Sequence, residues 1–301
     1  MNTRAWRPAL RAGVTVVATV AVTLGLGATP SSADDGTEMG QINHGRPLAD
    51  AAVALVDNLD QIGWPQESAY NFYSSPGAAT TVVFGTPGQP TTYRNETRCA
   101  TFVRRLMTHT FTWATPTFFS TEFGAQFPNS AAFHDAFAAD RDRTDDIPGI
   151  RAFDLAFLPY MTLYPGDVMA IKYTGASDTD SGHMAIIGPG SRLYDDSHPD
   201  YREWAISLLD STSSPHGNPA NPRGYPDSRF YYDADAQKWA EANGAGSGWM
   251  FIRTSRSTGR IVAHRWSLSS PTWYDMTARP IVIGRVVRVR RTVVGFTAAR
   301  R

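Results

Sequence analysis

The apolar pattern of this chain changes its period once, near Leu163. Before that point apolar residues recur at three- and four-residue spacing, the mark of helices with one buried face. Residues 48–59 predict a helix with Ala52, Leu55, Val56 and Leu59 on one side. Phe102, Val103, Leu106 and Met107 fall three, four, seven and eight residues after Cys99, so a second helix, 97–109, has the cysteine at the head of its stripe. A third helix is expected to reach about residue 140 from Asn129 or Ser130, either of which can cap it. One short strand, 80–84, lies among loops rich in Pro, Gly and Ser. Beyond Leu163 the apolar residues come in short runs, at 168–173, 184–187, 204–210, 249–254, 260–266 and 281–289. Helices first and strands second predict an α+β fold with an antiparallel sheet.

The ends have a different character. Arg4, Arg7 and Arg11, the apolar run 14–26 and the small residues Ser31-Ser32-Ala33 form the three parts of a secretory signal. The run is shorter than the roughly 20 apolar residues that span a bilayer, so export by a Sec-type signal, with no stable membrane anchor after cleavage, is expected. Residues 34–46 are polar and expected to be loose, residues 47–290 to form a single domain, and residues 291–301 a basic tail. Without 1–33 the chain carries 25 basic and 28 acidic side chains, a balance that gives no reason to expect a nucleic-acid partner. Seven arginines and no acid follow from Arg279 onward. Arg285, Arg288, Arg290 and Arg291 could meet anionic wall polymers, or could guard an edge strand against aggregation.

Cys99 is the single cysteine. Exported proteins commonly use cysteines in pairs, and a lone thiol closes no bridge within its own chain. A helix start favours the thiolate, because free N–H groups and the helix dipole stabilise negative charge there. A nucleophile also needs a base and a polar group to hold that base. Of the seven histidines, His183 stands apart, since Ser181-Gly182-His183 leads straight into the apolar strand Met184-Ala185-Ile186-Ile187. Asp210 ends the strand beginning at Trp204, and on a neighbouring strand it could orient the imidazole. His216, six residues on, is the competing third polar group.

These segments resemble the papain-like cysteine hydrolases of bacterial cell walls, specifically the NlpC-type peptidoglycan endopeptidases. The resemblance covers about residues 93–212 and lies in Cys99-Ala100-Thr101-Phe102-Val103, in the Pro165-Gly166-Asp167 turn before Val168, and in Gly182-His183-Met184-Ala185-Ile186. It implies a papain-like fold, with the nucleophile at a helix start packed on the sheet. It further implies a Cys99–His183–Asp210 triad, cleavage of a peptide or amide bond through an acyl-enzyme, and no cofactor. Tyr93 resembles the tyrosine that family members place before the cysteine, and is a candidate oxyanion donor beside the Cys99 N–H. Where the family has aspartate before the cysteine and serine-glycine after it, this chain has Arg98, Ala100 and Thr101, the pattern of a divergent branch.

Two other readings stay open on the sequence alone. Cys99, His183, Asp210 and His216 could ligate zinc, although no HExxH and no pair of cysteines is present. Alternatively the chain is a secreted wall-binding or interaction protein with no catalytic role, for which Trp204, Trp239, Trp249, Trp266 and Trp273 would supply sugar-binding surface. Residues 211–248, dense in Pro, Gly and Asn, predict a lid or a long loop.

Overall fold

A computed structural model describes residues 43–75, 80–141, 147–153, 163–175, 178–219 and 224–287. The expected signal, residues 34–42 and the 291–301 tail lie outside these residues. In chain order the first part contains α1 (Arg46–Asp60), β1 (Asn71–Tyr73), β2 (Thr81–Val83), β3 (Arg94–Thr97), α2 (Cys99–Thr110), α3 (Pro116–Phe123) and α4 (Ser130–Arg141). Next come β4 (Ile150–Phe153), β5 (Val168–Lys172), β6 (Gly182–Ile187), β7 (Arg192–Asp195) and β8 (Tyr201–Thr212). The chain continues with β9 (Phe230–Asp233), β10 (Lys238–Glu241), β11 (Gly244–Ser255), β12 (Ile261–Arg265), β13 (Tyr274–Asp275) and β14 (Ile281–Val286). The fold is therefore α+β, with helices preceding a largely antiparallel sheet. No described helix is long and apolar enough to cross a membrane.

A nine-stranded sheet runs in the order β13-β12-β11-β8-β6-β5-β14-β4, with β7 paired to β8. Alternation sorts its apolar residues onto two faces. Val168, Ala170, Met184, Ile186, Leu209 and Val282 join the stripes of α1 and α2 in one core. Met169, Ile171, Ala185, Ile187, Leu208 and Ile283 form a second core, covered by Leu163, Tyr173, Trp204, Trp266 and Met276 rather than by helices. Burial on both faces is why 168–171 and 184–187 read as unbroken apolar runs.

Several sequence expectations need correction. Helix α3 was not expected; Thr115 caps it, accepting from Phe118 N at 3.2 Å, and Gly124 ends it in the left-handed region. Strand β14 is no edge, because it pairs with both β5 and β4. Its Arg285 donates from Nε and Nη2 to buried Asp167, at 3.0 and 2.8 Å, so this arginine braces the Pro165-Gly166-Asp167 turn. The described residues of 211–248 are more than one long loop: they finish β8, build the β9–β10 hairpin and enter β11. Asn43, at the end of the segment expected to be loose, donates to the Pro165 carbonyl at 3.0 Å.

A small sheet, β1-β3-β2, carries the chain into α2. Buried amides fix it to the large sheet: Asn71 Nδ2 donates to Ala245 O at 2.8 Å, and Asn71 Oδ1 accepts from Ala245 N at 2.7 Å and from Asn95 Nδ2 at 2.9 Å. Asn71 Nδ2 also donates to Glu67 Oε1 at 2.6 Å, while Glu67 Oε2 is buried without a partner. Burial therefore pushes the Glu67 carboxyl from its ordinary 4.5 up to about 8, despite the Asn71 hydrogen bond. A carboxyl raised in the folded state contributes stability that is full below 4.5 and is lost as pH rises through about 8. Glu67→Gln keeps the acceptor and removes the titration. Its melting temperature is expected to gain on the wild type between pH 5 and pH 8 by about 3 °C or more, roughly 1 kcal/mol for a chain of this size, as read by thermal melts at both pH values.

Candidate active site

Strand β3 delivers Cys99 to the first position of α2. Arg98 is the last extended residue, at φ −91° and ψ 166°, and its side chain does not cap the helix. Asn95 and Thr97 do not cap it either, since Thr97 Oγ1 donates to Asn95 Oδ1 at 2.6 Å. The Thr97 carbonyl accepts from Ser211 Oγ at 2.9 Å. The residue two before the thiol is thus tied to the residue after Asp210.

His183 opens β6 beside the thiol. Gly182 is needed just before it, because at φ +140° an added methyl would lie 1.9 Å from the Ile171 carbonyl oxygen. Pairing Ile186 with Leu209 sets β6 against β8 so that Asp210 lies diagonally across from His183. Asp210 Oδ2 accepts from His183 Nε2 at 2.7 Å, which leaves Nδ1 to meet the sulfur. Burial pushes the Cys99 thiol up, but His183's charge and hydrogen bond, the Ser130 hydroxyl and the Met184 N–H outweigh it and bring the thiol below its ordinary range. Burial likewise pulls His183 down, and its pairing with Cys99 and Asp210 more than reverses this, holding the imidazole protonated above its ordinary range. The two shifts together favour a thiolate–imidazolium pair.

Asp210 is fully buried and lies inside β8, two residues before its end, rather than at the strand terminus. His216 is not an alternative to Asp210 but a second imidazole on the same oxygen. Asp210 Oδ2 accepts from His216 Nε2 at 2.8 Å, and Oδ1 accepts from Arg229 Nη1 at 2.8 Å. Burial would raise this carboxyl, yet Arg229, His216 and His183 hold it well below the usual carboxylate range. The Arg229 guanidinium, itself fully buried, turns its other edge to Asp227, donating from Nε at 2.8 Å and from Nη2 at 2.6 Å. Asp227 also accepts from the His216 backbone N–H at 2.7 Å. His216 Nδ1 faces the Trp266 carbonyl at 3.1 Å, so both its ring nitrogens face acceptors. The Trp266 indole packs edge-on against His183, with ring centroids 5.2 Å apart.

Tyr93 is buried in the same helix-side core as Cys99. Tyr73 is a second tyrosine near the thiol: its hydroxyl accepts from Arg98 Nε at 3.4 Å, and burial, followed by the nearby Cys99 charge, raises it to about 12. Arg98 Nη2 donates onward to Asp180 at 2.6 Å. Sequence reasoning missed Tyr73, Ser130, Asp227 and Arg229. The signal for the last two is in β11, where Gly244, Gly246 and Gly248 alternate. A methyl at Gly246, opposite Asp210, would meet Arg229 Nε at 2.9 Å, and one at Gly248 would meet Asp227 Oδ2 at 2.5 Å.

Among the described residues, His183, Asp210 and His216 offer metal-ligating atoms within 4.8 Å of one another, and Cys99 is not part of that group. Both imidazoles are already at hydrogen-bond distance from one carboxylate oxygen, and Arg229 occupies the other. These groups fit one another better than they fit a cation. A cavity of about 120 Å³ is walled by His216, Tyr225, Asp227, Phe230 and Trp239, with Cys99 and His183 not in its lining. Trp204, Trp249, Trp266 and Trp273 are partly buried, whereas Trp239 is exposed on the β9–β10 hairpin. Compared with protein-family models, with curated proteins and with solved structures, the chain matches none.

Arg229→Met keeps most of the volume and leaves two buried carboxylates facing each other. The loss expected from urea denaturation is about 3–5 kcal/mol, the cost of stranding a buried charge. A loss under about 1 kcal/mol would mean that the guanidinium does not bind the two acids in solution.

Proposed function

We propose that this chain is an exported thiol hydrolase of papain-like architecture that cleaves a peptide or amide bond, with peptidoglycan as its substrate class. The observation that carries the reading is the row formed by Cys99 at the start of α2, His183 at the start of β6 and the buried Asp210 on β8. The order of these groups, and of the elements that bear them, supports the papain-like assignment. The resemblance to NlpC-type endopeptidases supplies the substrate class, and the signal-like N-terminus supplies the compartment. The basic tail would face anionic wall polymers there.

The Cys99 thiolate attacks the amide carbonyl and forms an S–C bond. The oxyanion lies toward the Cys99 N–H and the Tyr73 hydroxyl, whose oxygen already accepts from Arg98 and whose proton is free to donate. Collapse breaks the C–N bond as His183 Nδ1 gives its proton to the leaving amine. Water then attacks the thioester, His183 takes the proton of that water, and the S–C bond breaks to release the acid and restore the thiolate. Asp210 keeps the ring in one orientation throughout. No step calls for a cofactor.

A binding protein without catalysis is the second reading, favoured by the exposed cross-strand pair Tyr232 and Trp239, of which Trp239 also lines the cavity. The two readings separate on the thiol. Iodoacetamide is expected to alkylate Cys99 well below the titration of a free thiol, about pH 8.5, and His183→Ala to move the profile up by about one pH unit or more. Cys99→Ala is expected to abolish release of new amino groups from wall fragments. A thiol that is inert in the folded protein, or that titrates normally and ignores His183, transfers the assignment to the binding protein.

A further inference from the structure

Ser130 is the first residue of α4 and is 2 % exposed. A serine at a helix start ordinarily caps the helix, but Asn129 already does so: its side-chain oxygen accepts from Ala132 N at 2.9 Å and its carbonyl from Phe133 N at 3.1 Å. The one hydrogen bond the Ser130 side chain makes among the described residues is to Cys99 Sγ, at 3.6 Å. A buried hydroxyl left without a partner is costly. This one is satisfied by sulfur alone.

We propose that Ser130 is a positioning residue for the nucleophile: its hydroxyl donates a hydrogen bond to the Cys99 sulfur and holds it as the thiolate. The proposal rests on the catalytic reading of Cys99. The direction of the bond follows from the chemistry, since a thiolate can only accept, and Ser130 Oγ then carries the shared proton. The same contact places the sulfur beside the first turn of α4 as well as at the start of α2, so the positive ends of two helices meet there. The thiolate therefore does not depend on the His183 charge alone. Part of its acidity survives the loss of His183, and Ser130 shares that part with the Met184 N–H and the helix starts. In catalysis the hydroxyl fixes the direction from which sulfur attacks, and it is free to hold the leaving thiolate when the acyl-enzyme is hydrolysed.

The test is thiolate absorbance near 240 nm against pH, run on the full mature protein beside iodoacetamide rates. Ser130→Ala is expected to raise the thiol midpoint by about one pH unit, the scale of one hydrogen bond to a charged group. Ser130→Thr, which keeps the hydroxyl, is expected to restore the wild-type midpoint. In a His183→Ala background, adding Ser130→Ala is expected to raise the midpoint further. Should Ser130→Ala lose its near-UV circular dichroism, Ser130→Gly carries the same measurement, because Asn129 still caps α4. A midpoint that moves with His183→Ala but not with loss of the Ser130 hydroxyl overturns this proposal and leaves the hydrolase reading standing. A midpoint that rises in Ser130→Ala while wall fragments stay uncut supports Ser130 and overturns the substrate class instead. A wild-type thiol of ordinary acidity overturns both.

Discussion

A guanidinium locked between two carboxylates, with no access to water, is the constraint on which the rest of this molecule depends. Arg229 spends one edge on Asp227 and the other on Asp210, and it also donates to the Gly244 carbonyl at 3.1 Å. Such an arrangement is a weak source of net stability, because desolvating three charges offsets most of their attraction. Its effect is positional. With Oδ1 of Asp210 committed to Arg229, only Oδ2 remains for His183 and His216, and the two imidazoles can approach it only from fixed directions. Removing any one of the charges strands the others, so the cluster tolerates little variation in geometry.

That cluster needs space inside a sheet, and the space comes from missing side chains. Strand β11 lies against β8 with Gly246 opposite Asp210 and Gly248 opposite Leu208. Any other residue at 246 would enter the Arg229 side chain, and any other at 248 would enter the Asp227 carboxylate and the His216 ring. Glycine inside a strand weakens it through lost packing and added backbone freedom. Here the alternation at 244, 246 and 248 clears a trench that Asn71, Arg229 and Asp227 fill with polar groups. The fold trades apolar packing at its centre for a scaffold that aims one carboxylate oxygen.

The sequence made some of this legible and hid the rest, and the division follows the range of the interactions. The stripes of α1 and α2, the apolar runs of β5 and β6, and the placing of Cys99 and His183 at element starts are local patterns that need only a period and a boundary. Asp210 was legible as a neighbour of His183, although its strand runs on past it. Tyr73 comes from a different strand and reaches the site only through the parallel pairing of β1 with β3. The valine- and arginine-rich β14 looked like an edge, since nothing within it shows that β4 would pair along its outer side. Arg229 stood in a segment whose composition suggested only a loop, and the three alternating glycines that receive it lie at least fifteen residues away.

The same geometry bears on the charge of the nucleophile. Asp210 takes Arg229 on Oδ1 and both imidazoles on Oδ2, and these partners keep its carboxylate charged beside His183. A protonated His183 then sets a positive charge next to Cys99. A largely buried charge without a counter-charge is expensive, and the sulfur next to His183 is the group placed to balance it. A neutral thiol beside a neutral imidazole would also close the balance. That alternative, however, weakens the hydrogen bond between His183 and Asp210, which then has charge on the acceptor alone. It also leaves the Ser130 hydroxyl and the Met184 N–H pointing at a sulfur with no charge to hold. Every polar group that contacts His183 or donates to Cys99 is thus better satisfied by the ion pair than by the neutral pair. The thiolate is in this sense a property of the buried cluster, in which Arg229 fixes the Asp210 carboxylate that holds the histidine beside the sulfur.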